Sequence, residues 1–415
     1  MSPEDPELSG GKLKILIVHN HYQIPGGEDT VVANEKRLLE QNGHEVILYT
    51  RDNSEINTMG LAGKLLLPFR SICNHRSARD VKRVIRDEKI DIVHVHNTLN
   101  LISPSVYYAA VKSGVPVIQT IHNFRFVCPS AVLYRDGHLC EDCVRMGLGC
   151  AVRHGCYRNS RAQTLILVIS ALLHRATGIL GKINYICLTE FNRDRLLTVN
   201  RKKQVIDPSR VWVKPNFSFF EQGGALPSED SATQPYFIYV GRLDELKGIR
   251  TLFEAWRLMG ADAPRLVVCG KGPLEEWCGQ QARSLNIEMK GFVEHSEARR
   301  LIAQSDALLL PTLWYEGFPM TIAEAFSVGT PVICTDLGNA GSIVREGETG
   351  WKFPVGDAQG LADTVRKCGG ARGLLRQTVR REYERKYAPE ANYRILEEIY
   401  TEVCHADRSA GSQHR

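Results

Sequence analysis

The chain has 415 residues, 43% of them hydrophobic, which allows two domains with cores of their own. A net charge of +5 with both signs interspersed excludes nucleic acid as a partner and leaves a modest attraction for anionic ligands or lipid headgroups. No run reaches the roughly 18 apolar residues of a membrane span, and residues 1–10 lack the basic start and apolar centre of a signal peptide, so a cytoplasmic place is expected, at the inner face of the membrane if lipid is engaged.

Apolar runs of strand length alternate with helical patterns from end to end. Residues 14–18 read as a strand, followed by Gly26-Gly27 and a helix over 30–41 that Gly43 stops. Further strands are expected at 45–49, 90–95, 115–121, 185–188 and 211–213, the last running into Lys214-Pro215-Asn216. These runs are apolar rather than alternating, as in parallel strands covered on both faces. Residues 217–234 read as a linker, rich in Gly, Ser, Pro and acidic residues from 221 onward. A second alternation follows, with strands at 236–240, 266–269, 287–290, 307–310 and 332–334. The last helix, about 390–404, puts Ile395, Ile399 and Val403 on one face, and the polar tail after His405 is expected to be disordered.

The fold class is therefore α/β, with two facing Rossmann-like doubly wound domains and a cleft between them. Residues 12–216 are expected to form the first domain, with a Cys-rich insertion at about 124–160, and residues 235–388 the second. The helix at 389–405 is a candidate to cross back to the first domain.

The most informative stretch is Trp-Tyr-Glu-Gly-Phe-Pro-Met-Thr-Ile-Ala-Glu-Ala at 314–325. It sets Glu316 and Glu324 eight positions apart around a Gly-Phe-Pro turn, between a strand and a helix. Backbone N–H groups at such a helix start attract anions. Carboxylates at the same place call for hydroxyls, and a nucleotide-sugar offers both. Gly241-Arg242 closes a strand and Lys247-Gly248 opens a helix, so Arg242 and Lys247 are expected to converge on one diphosphate and offset leaving-group charge. Taken singly, one would cap the strand and the other would be a solvated helix residue.

Gly270 and Gly272, after the next strand, let backbone approach a nucleotide; an ordinary strand-to-helix turn is the other reading. Val293 ends the following strand and could border the base. Gly26 and Gly27 could bring an amide to the phosphate or the reacting sugar; an ordinary βα loop is the other reading. His122 closes a strand and is expected to point into the cleft. His94-x-His96 has metal-like spacing, but no carboxylate accompanies it in sequence, so both histidines read as structural or acceptor-lining.

Together, Gly26-Gly27, His122-Asn123, Lys214-Pro215-Asn216, Gly241-Arg242, Lys247-Gly248, Gly270-Lys271-Gly272 and Glu316-Gly-Phe-Pro with Glu324 span nearly the whole chain. In this order they resemble a GT-B glycosyltransferase of the retaining family 4 type, in the subset with a cysteine-rich insertion. One departure is Leu246 before Lys247, where the family usually has Glu.

The resemblance implies a hexosyltransferase that uses a UDP- or GDP-type donor and a saccharide or lipid-linked acceptor in cell-surface polysaccharide or glycan assembly. Arg242 and Lys247 would hold the diphosphate, Glu324 the ribose, and Glu316 with the N–H groups of Gly317 and Phe318 the donor sugar. Gly27 would approach the phosphate, and His122 would sit near sugar and acceptor. No catalytic metal is implied. The alternatives are a GT-B-fold sugar-nucleotide epimerase and a non-catalytic, zinc-stabilised nucleotide-sugar-binding protein.

Cys128, Cys140, Cys143, Cys150 and Cys156 crowd one Gly-rich segment that promises no core of its own. Four thiolates there could hold a structural zinc, with Cys128, Cys140, Cys143 and Cys156 as the quartet and Cys150 as substitute. A redox pair and simple packing are the other readings. Residues 165–173 are strongly apolar with basic flanks. They could lie against a membrane, peripherally, or be buried in the first domain; their length favours burial.

Overall fold

A computed structural model of the chain describes residues 11–23, 26–219, 235–369 and 372–412. Most of the expected linker, residues 220–234, lies outside them, as do residues 1–10 and the last three residues.

The first lobe is a six-stranded parallel sheet in the order β2-β1-β3-β4-β7-β8. Its strands are β1 (Lys14–His21), β2 (Glu45–Asp52), β3 (Ile92–Val95), β4 (Val117–Ile121), β7 (Asn184–Cys187) and β8 (Val211–Val213). A short antiparallel hairpin, β5 (Tyr134–Arg135) and β6 (His138–Leu139), stands apart. The second lobe repeats the plan with β9 (Tyr236–Val240), β10 (Arg265–Cys269), β11 (Ile287–Gly291), β12 (Ala307–Leu310), β13 (Val332–Thr335) and β14 (Gly350–Phe353), in the order β11-β10-β9-β12-β13-β14.

Period-2 alternation gives each sheet two cores. Along β1, Leu16 and Val18 pack on one face while Ile15 and Ile17 pack on the other. In the second lobe Tyr236 and Ile238 face one cluster, Phe237 and Tyr239 its opposite. Strand order reverses at β1/β3 in the first sheet and at β9/β12 in the second. Crevices of this kind, beyond the strands' carboxyl ends, are where ligands bind in such sheets.

The second face of the first lobe is closed by the end of the chain. The Pro389–Ser412 helix lays Leu396, Ile399, Tyr400 and Val403 over Ile15, Ile17, Ile92 and Ile118. That helix runs beyond His405, where a disordered tail was expected. The described start of the expected linker is also packed. Phe217 and Ser218 are buried, and Ser218 bonds Tyr387 and Tyr383 through its backbone.

Two other expectations change. The 124–160 segment is not a coreless loop: Phe124, Val127, Cys128 and Leu133 belong to the first lobe's main core. It also carries the β5–β6 hairpin and two short helices, Asp142–Met146 and Gly149–His154. Residues 165–173 lie within the Arg161–Ala176 helix, and its apolar side is not buried. Leu165, Ile169, Leu172 and Leu173 are all exposed, because only the side bearing Thr164, Val168 and His174 packs inward.

Candidate active site at the facing crevices

The two crevices face each other across a cleft of about 460 Å³. The second lobe contributes Gly241, Lys247, and the turn Trp314–Thr321 with the start of the Met320–Ser327 helix. The first contributes Gly27, Glu28, His122, Asn123 and Arg125.

Lys247 and Glu316 are the charged centre. Lys247 Nζ donates to both carboxylate oxygens of Glu316, at 2.7 and 2.8 Å. Asp244 fixes the preceding turn by accepting the Lys247 N–H at 3.0 Å. Glu316 is buried, with Lys247 the more open partner. Beside them the Met320–Ser327 helix opens toward the cavity with the unpaired N–H groups of a helix start.

The expected convergence of Arg242 and Lys247 is not present in this arrangement. The Arg242 side chain is 58% exposed and paired with Asp244 at 3.3 Å, while Lys247 turns inward. Glu324 sits one helical turn along from the cavity's lip, with Oε1 3.2 Å from His295 Nε2. Gly270 and Gly272 are explained by their neighbours: a Cβ would come within 1.8 Å of the Gly241 carbonyl oxygen and 2.3 Å of the Leu243 carbonyl oxygen. The close approach that needs glycine there is loop to loop. Val293 packs against the second lobe's core rather than lining the cleft. Gly26 and Gly27 differ: around Gly26 nothing lies within 4 Å of a built Cβ, and Gly27 meets only Met320 at 3.9 Å, so the space beside them is free.

The lobes touch at this site. A Cβ on Gly317 would lie 2.0 Å from the His122 carbonyl oxygen, so glycine permits the contact. Asn339 Nδ2 donates to the carbonyls of Glu316 and Gly317, at 2.6 Å each, and to Asn192 Oδ1 of the first lobe at 2.7 Å. Thr189 Oγ1 donates to Asn339 Oδ1. Tyr315 reaches across to meet Phe124 edge-on and Phe191 at a tilt, and its hydroxyl donates to Glu141 in the cysteine segment at 3.3 Å.

Behind His122 the first lobe holds a buried polar column. His122 Nε2 meets His96 Nδ1 at 2.9 Å. Glu35 Oε1 lies 3.0 Å from His94 Nδ1 and 3.3 Å from His96 Nε2. Lys214 Nζ donates to Glu35 Oε2 at 3.1 Å and to Asn392 Oδ1 at 3.0 Å. Burial pushes the imidazoles down, His96 to about 4 and His122 well below the ordinary histidine range, so both are neutral near pH 7. Burial would raise Glu35, but Lys214 and then His94 outweigh it and hold the carboxyl well below its usual range.

His94-x-His96 therefore does have a carboxylate, supplied by Glu35 from the Gly27–Gln41 helix. The three ligand atoms lie within 4.8 Å of one another, as do those of His19, His21 and Asp29. In the first group the Lys214 ammonium already takes the charge-neutralising place a cation would occupy. No three of the five cysteine thiols in the 124–160 segment come that close, and all five are free. Burial pushes the Cys143 thiol up to about 12 and raises those of Cys140 and Cys156.

Sequence reasoning passed over several of these residues. Glu35 carried a signal: it lies on the apolar stripe of its helix, with Val31, Val32, Leu38 and Leu39. Glu28 directly follows the Gly-Gly pair. Its Oε2 accepts from the Tyr22 hydroxyl at 2.9 Å, and burial pushes the carboxyl up to about 8. Glu28 Oε1, Asn216 Oδ1 and Trp314 Nε1 all belong to cleft-lining residues, and each is a buried polar atom without a partner among the described residues.

Two family models match the chain in tandem: Glycosyltransferase Family 4 over residues 25–181 and Glycosyl transferases group 1 over residues 227–384. The chain belongs to the family 4 glycosyltransferases, with the GT-B fold. The glycogen synthase of Mycobacterium tuberculosis (strain CDC 1551 / Oshkosh) is 33% identical over 135 residues, 31% of this chain and 32% of that protein. The chain thus spans about a third of the length of the first curated relatives it matches. A fuller alignment is with N-acetyl-alpha-D-glucosaminyl L-malate synthase of Bacillus anthracis, 23% identical over 96% of this chain and 99% of that one. Among solved structures, a glycosyltransferase from Rickettsia africae shares the fold with a TM-score of 0.67 at 16% identity, covering 94% of this chain and 98% of its own. The family's two-lobed plan places Lys247 and Glu316 on one wall of the gap and His122 on the other.

Proposed function

We propose that this protein moves a hexose from a nucleoside diphosphate, of the uridine or guanosine type, to a hydroxyl of a saccharide or lipid-linked acceptor. The anomeric configuration is retained, and the product belongs to cell-surface polysaccharide or glycan assembly. One observation carries the reading: the cleft pairs an anion-ready wall with unpartnered hydrogen-bonding atoms. Lys247 and the Met320–Ser327 helix start suit a diphosphate. Glu28 Oε1, Asn216 Oδ1 and Trp314 Nε1 suit the hydroxyls of a sugar, and a ligand that satisfied them would relieve a real cost of burial. The names of the relatives, a glycogen synthase and an N-acetyl-alpha-D-glucosaminyl L-malate synthase, support sugar transfer.

In this reading the bond from the anomeric carbon to the diphosphate oxygen lengthens first. Charge growing on the diphosphate is offset by the Lys247 ammonium and the helix N–H groups. The acceptor oxygen bonds to the anomeric carbon from the side the phosphate leaves, and its proton passes to the departing phosphate oxygen. As phosphate draws Lys247, Glu316 becomes free to accept from sugar hydroxyls. His122 has its Nε2 on His96, which leaves Nδ1 to meet the acceptor. Arg242 joins the diphosphate only by swinging from Asp244, and Glu324 takes the ribose.

A panel of nucleotide-sugars tests this, with released nucleotide and anomeric configuration read by chromatography and NMR. Slow donor hydrolysis, accelerated by acceptor and giving a retained product, is expected. An altered sugar still joined to its nucleotide would replace this reading with epimerisation. Binding without turnover would leave a binding protein.

A further inference from the structure

Fourteen large apolar side chains are exposed among the described residues, and eight of them sit on two helices. On the Leu61–Ile72 helix they are Leu61, Leu65, Leu66 and Phe69. On the Arg161–Ala176 helix they are Leu165, Ile169, Leu172 and Leu173. The spacings of three, four and seven or eight put each set on one helical side. The two helices pack on each other, so the stripes share a neighbourhood. Leu61 is 77% exposed, Phe69 69% and Leu65 66%, values that packing among the described residues does not explain. Apolar surface concentrated in this way marks an interaction site.

In sequence, the two helices and their immediate flanks carry basic residues only, although Arg76 pairs with Asp80 and Arg145 with Glu141 just outside them. Residues 56–79 contain Lys64, Arg70, Arg76 and Arg79 and no Asp or Glu. Residues 143–189 contain Arg145, Arg153, Arg158, Arg161, Arg175 and Lys182 and again no Asp or Glu. These ten basic residues exceed the chain's whole net charge of +5, so the remainder of the protein is acidic overall. No described helix is long and apolar enough to cross a membrane. An apolar stripe with basic flanks on helices of 12 and 16 residues suits lying in the interface plane.

We propose that the joined apolar faces of these two helices seat on an anionic lipid bilayer. The docking stands on this surface alone; its use for an acceptor rests on the transfer reading above. Behind the face lies a cavity of about 140 Å³, walled by Ser71, Leu167, Ser170 and Ala171 from these helices. On its far side it shares His122, Asn123 and Arg125 with the donor cleft. A lipid-borne acceptor entering from the bilayer would therefore arrive on the His122 side of the site.

The test is co-sedimentation of the full chain with vesicles of phosphatidylcholine alone or mixed with phosphatidylglycerol. Binding to the mixed vesicles, weakened by salt, is expected. The triple variant Leu65→Ser, Phe69→Ser, Leu172→Ser is expected to lose at least about tenfold in partitioning while keeping its melting temperature and donor hydrolysis. Lys64→Glu with Arg161→Glu is expected to lose about tenfold or more on the mixed vesicles only. Absence of binding at low salt, or binding unchanged in the triple variant, overturns the docking whatever donor hydrolysis shows. So does a lipid-free dimer, seen by sedimentation, that the triple variant abolishes, since the face would then belong to a second copy. Vesicle binding by a protein that hydrolyses no donor would uphold the docking and overturn only the transfer reading.

Discussion

The two lobes share a sheet plan and use its crevice in opposite ways. In the first lobe the crevice at β1/β3 is filled by side chains set against one another: Lys214 bonds Glu35, Glu35 lies beside His94 and His96, and His96 meets His122, while Glu35 Oε1 and His96 Nε2 make no well-aligned hydrogen bond among the described residues. In the second, the crevice at β9/β12 keeps one ion pair at its rim and leaves backbone N–H groups facing the gap. The difference teaches where rigidity and reactivity are lodged. A closed network of buried ions resists rearrangement, because moving any member strands a charge. A Lys247–Glu316 pair that borders the cleft can exchange one partner for a ligand that brings its own charge and hydrogen-bonding groups.

The strongest way to break the comparison is to remove the cation of the first lobe. Lys214 is 1% exposed and Glu35 fully buried, so Lys214→Met leaves a carboxylate without its counter-ion. A loss of about 3–5 kcal/mol in urea unfolding is expected. Glu35 is held below its ordinary value in the fold, so the stability it contributes is present above the unfolded carboxylate range and is lost as the pH falls. Lys214→Met should therefore flatten the acid limb of the stability curve. A variant as stable as the parent would mean that the column is not a sealed ionic network.

Lys247→Ala should act mainly on turnover, a fall of about 10²–10³, the usual cost of one missing electrostatic stabiliser, with a smaller loss of stability than Lys214→Met because Lys247 is part-exposed and the pair borders the cleft. Arg242→Ala should cost less, since Arg242 is exposed and already paired with Asp244. Equal losses would show that the lobes rearrange to bring Arg242 inward during the reaction, and would restore the convergence expected from sequence. Between the lobes, Asn339→Ala strips a buried amide that serves Asn192 and the carbonyls of Glu316 and Gly317. A cost of about 1–3 kcal/mol in stability is expected. It should come with weaker donor binding, because the Glu316 turn loses its anchor to the first lobe. Unchanged donor affinity would separate the clamp from the site.

What the sequence disclosed follows the same division. Parallel strands are apolar runs, so β9 and β12 were readable to the residue, and β4 and β1 to within two and three residues. The Glu316 turn was readable because its residues are contiguous. Glu35 was missed because its partners lie 59, 61 and 179 positions away and only the fold assembles them. Gly270 and Gly272 left two readings open, a nucleotide or an ordinary strand-to-helix turn, and the carbonyls that crowd their Cβ positions are the protein's own. Periodicity marked residues 165–173 as apolar without telling which side had a partner. The neighbouring Leu61–Ile72 helix, which shares that outward face, went unremarked until the two were seen together.

The smallest expected effect concerns Glu28, the one carboxyl of the first lobe that behaves as the open site does. Burial pushes it up to about 8, against a value of 4.5 for the free side chain. In the folded protein it therefore keeps its proton through a range in which the unfolded chain has lost it. Its contribution is fully favourable below about pH 4.5 and declines as the pH climbs toward 8. Glu28→Gln keeps the shape and the contact with Tyr22 but does not titrate. The variant should match the parent near pH 4.5 and become the more stable of the two as the pH rises. Near pH 7 a gain on the order of 1 kcal/mol is expected, after screening by the water that reaches the cleft. Paired melting curves across that range measure it. Parallel curves would mean that Glu28 is ionised in the fold, so that the cleft presents a carboxylate to the acceptor rather than a neutral acid able to donate.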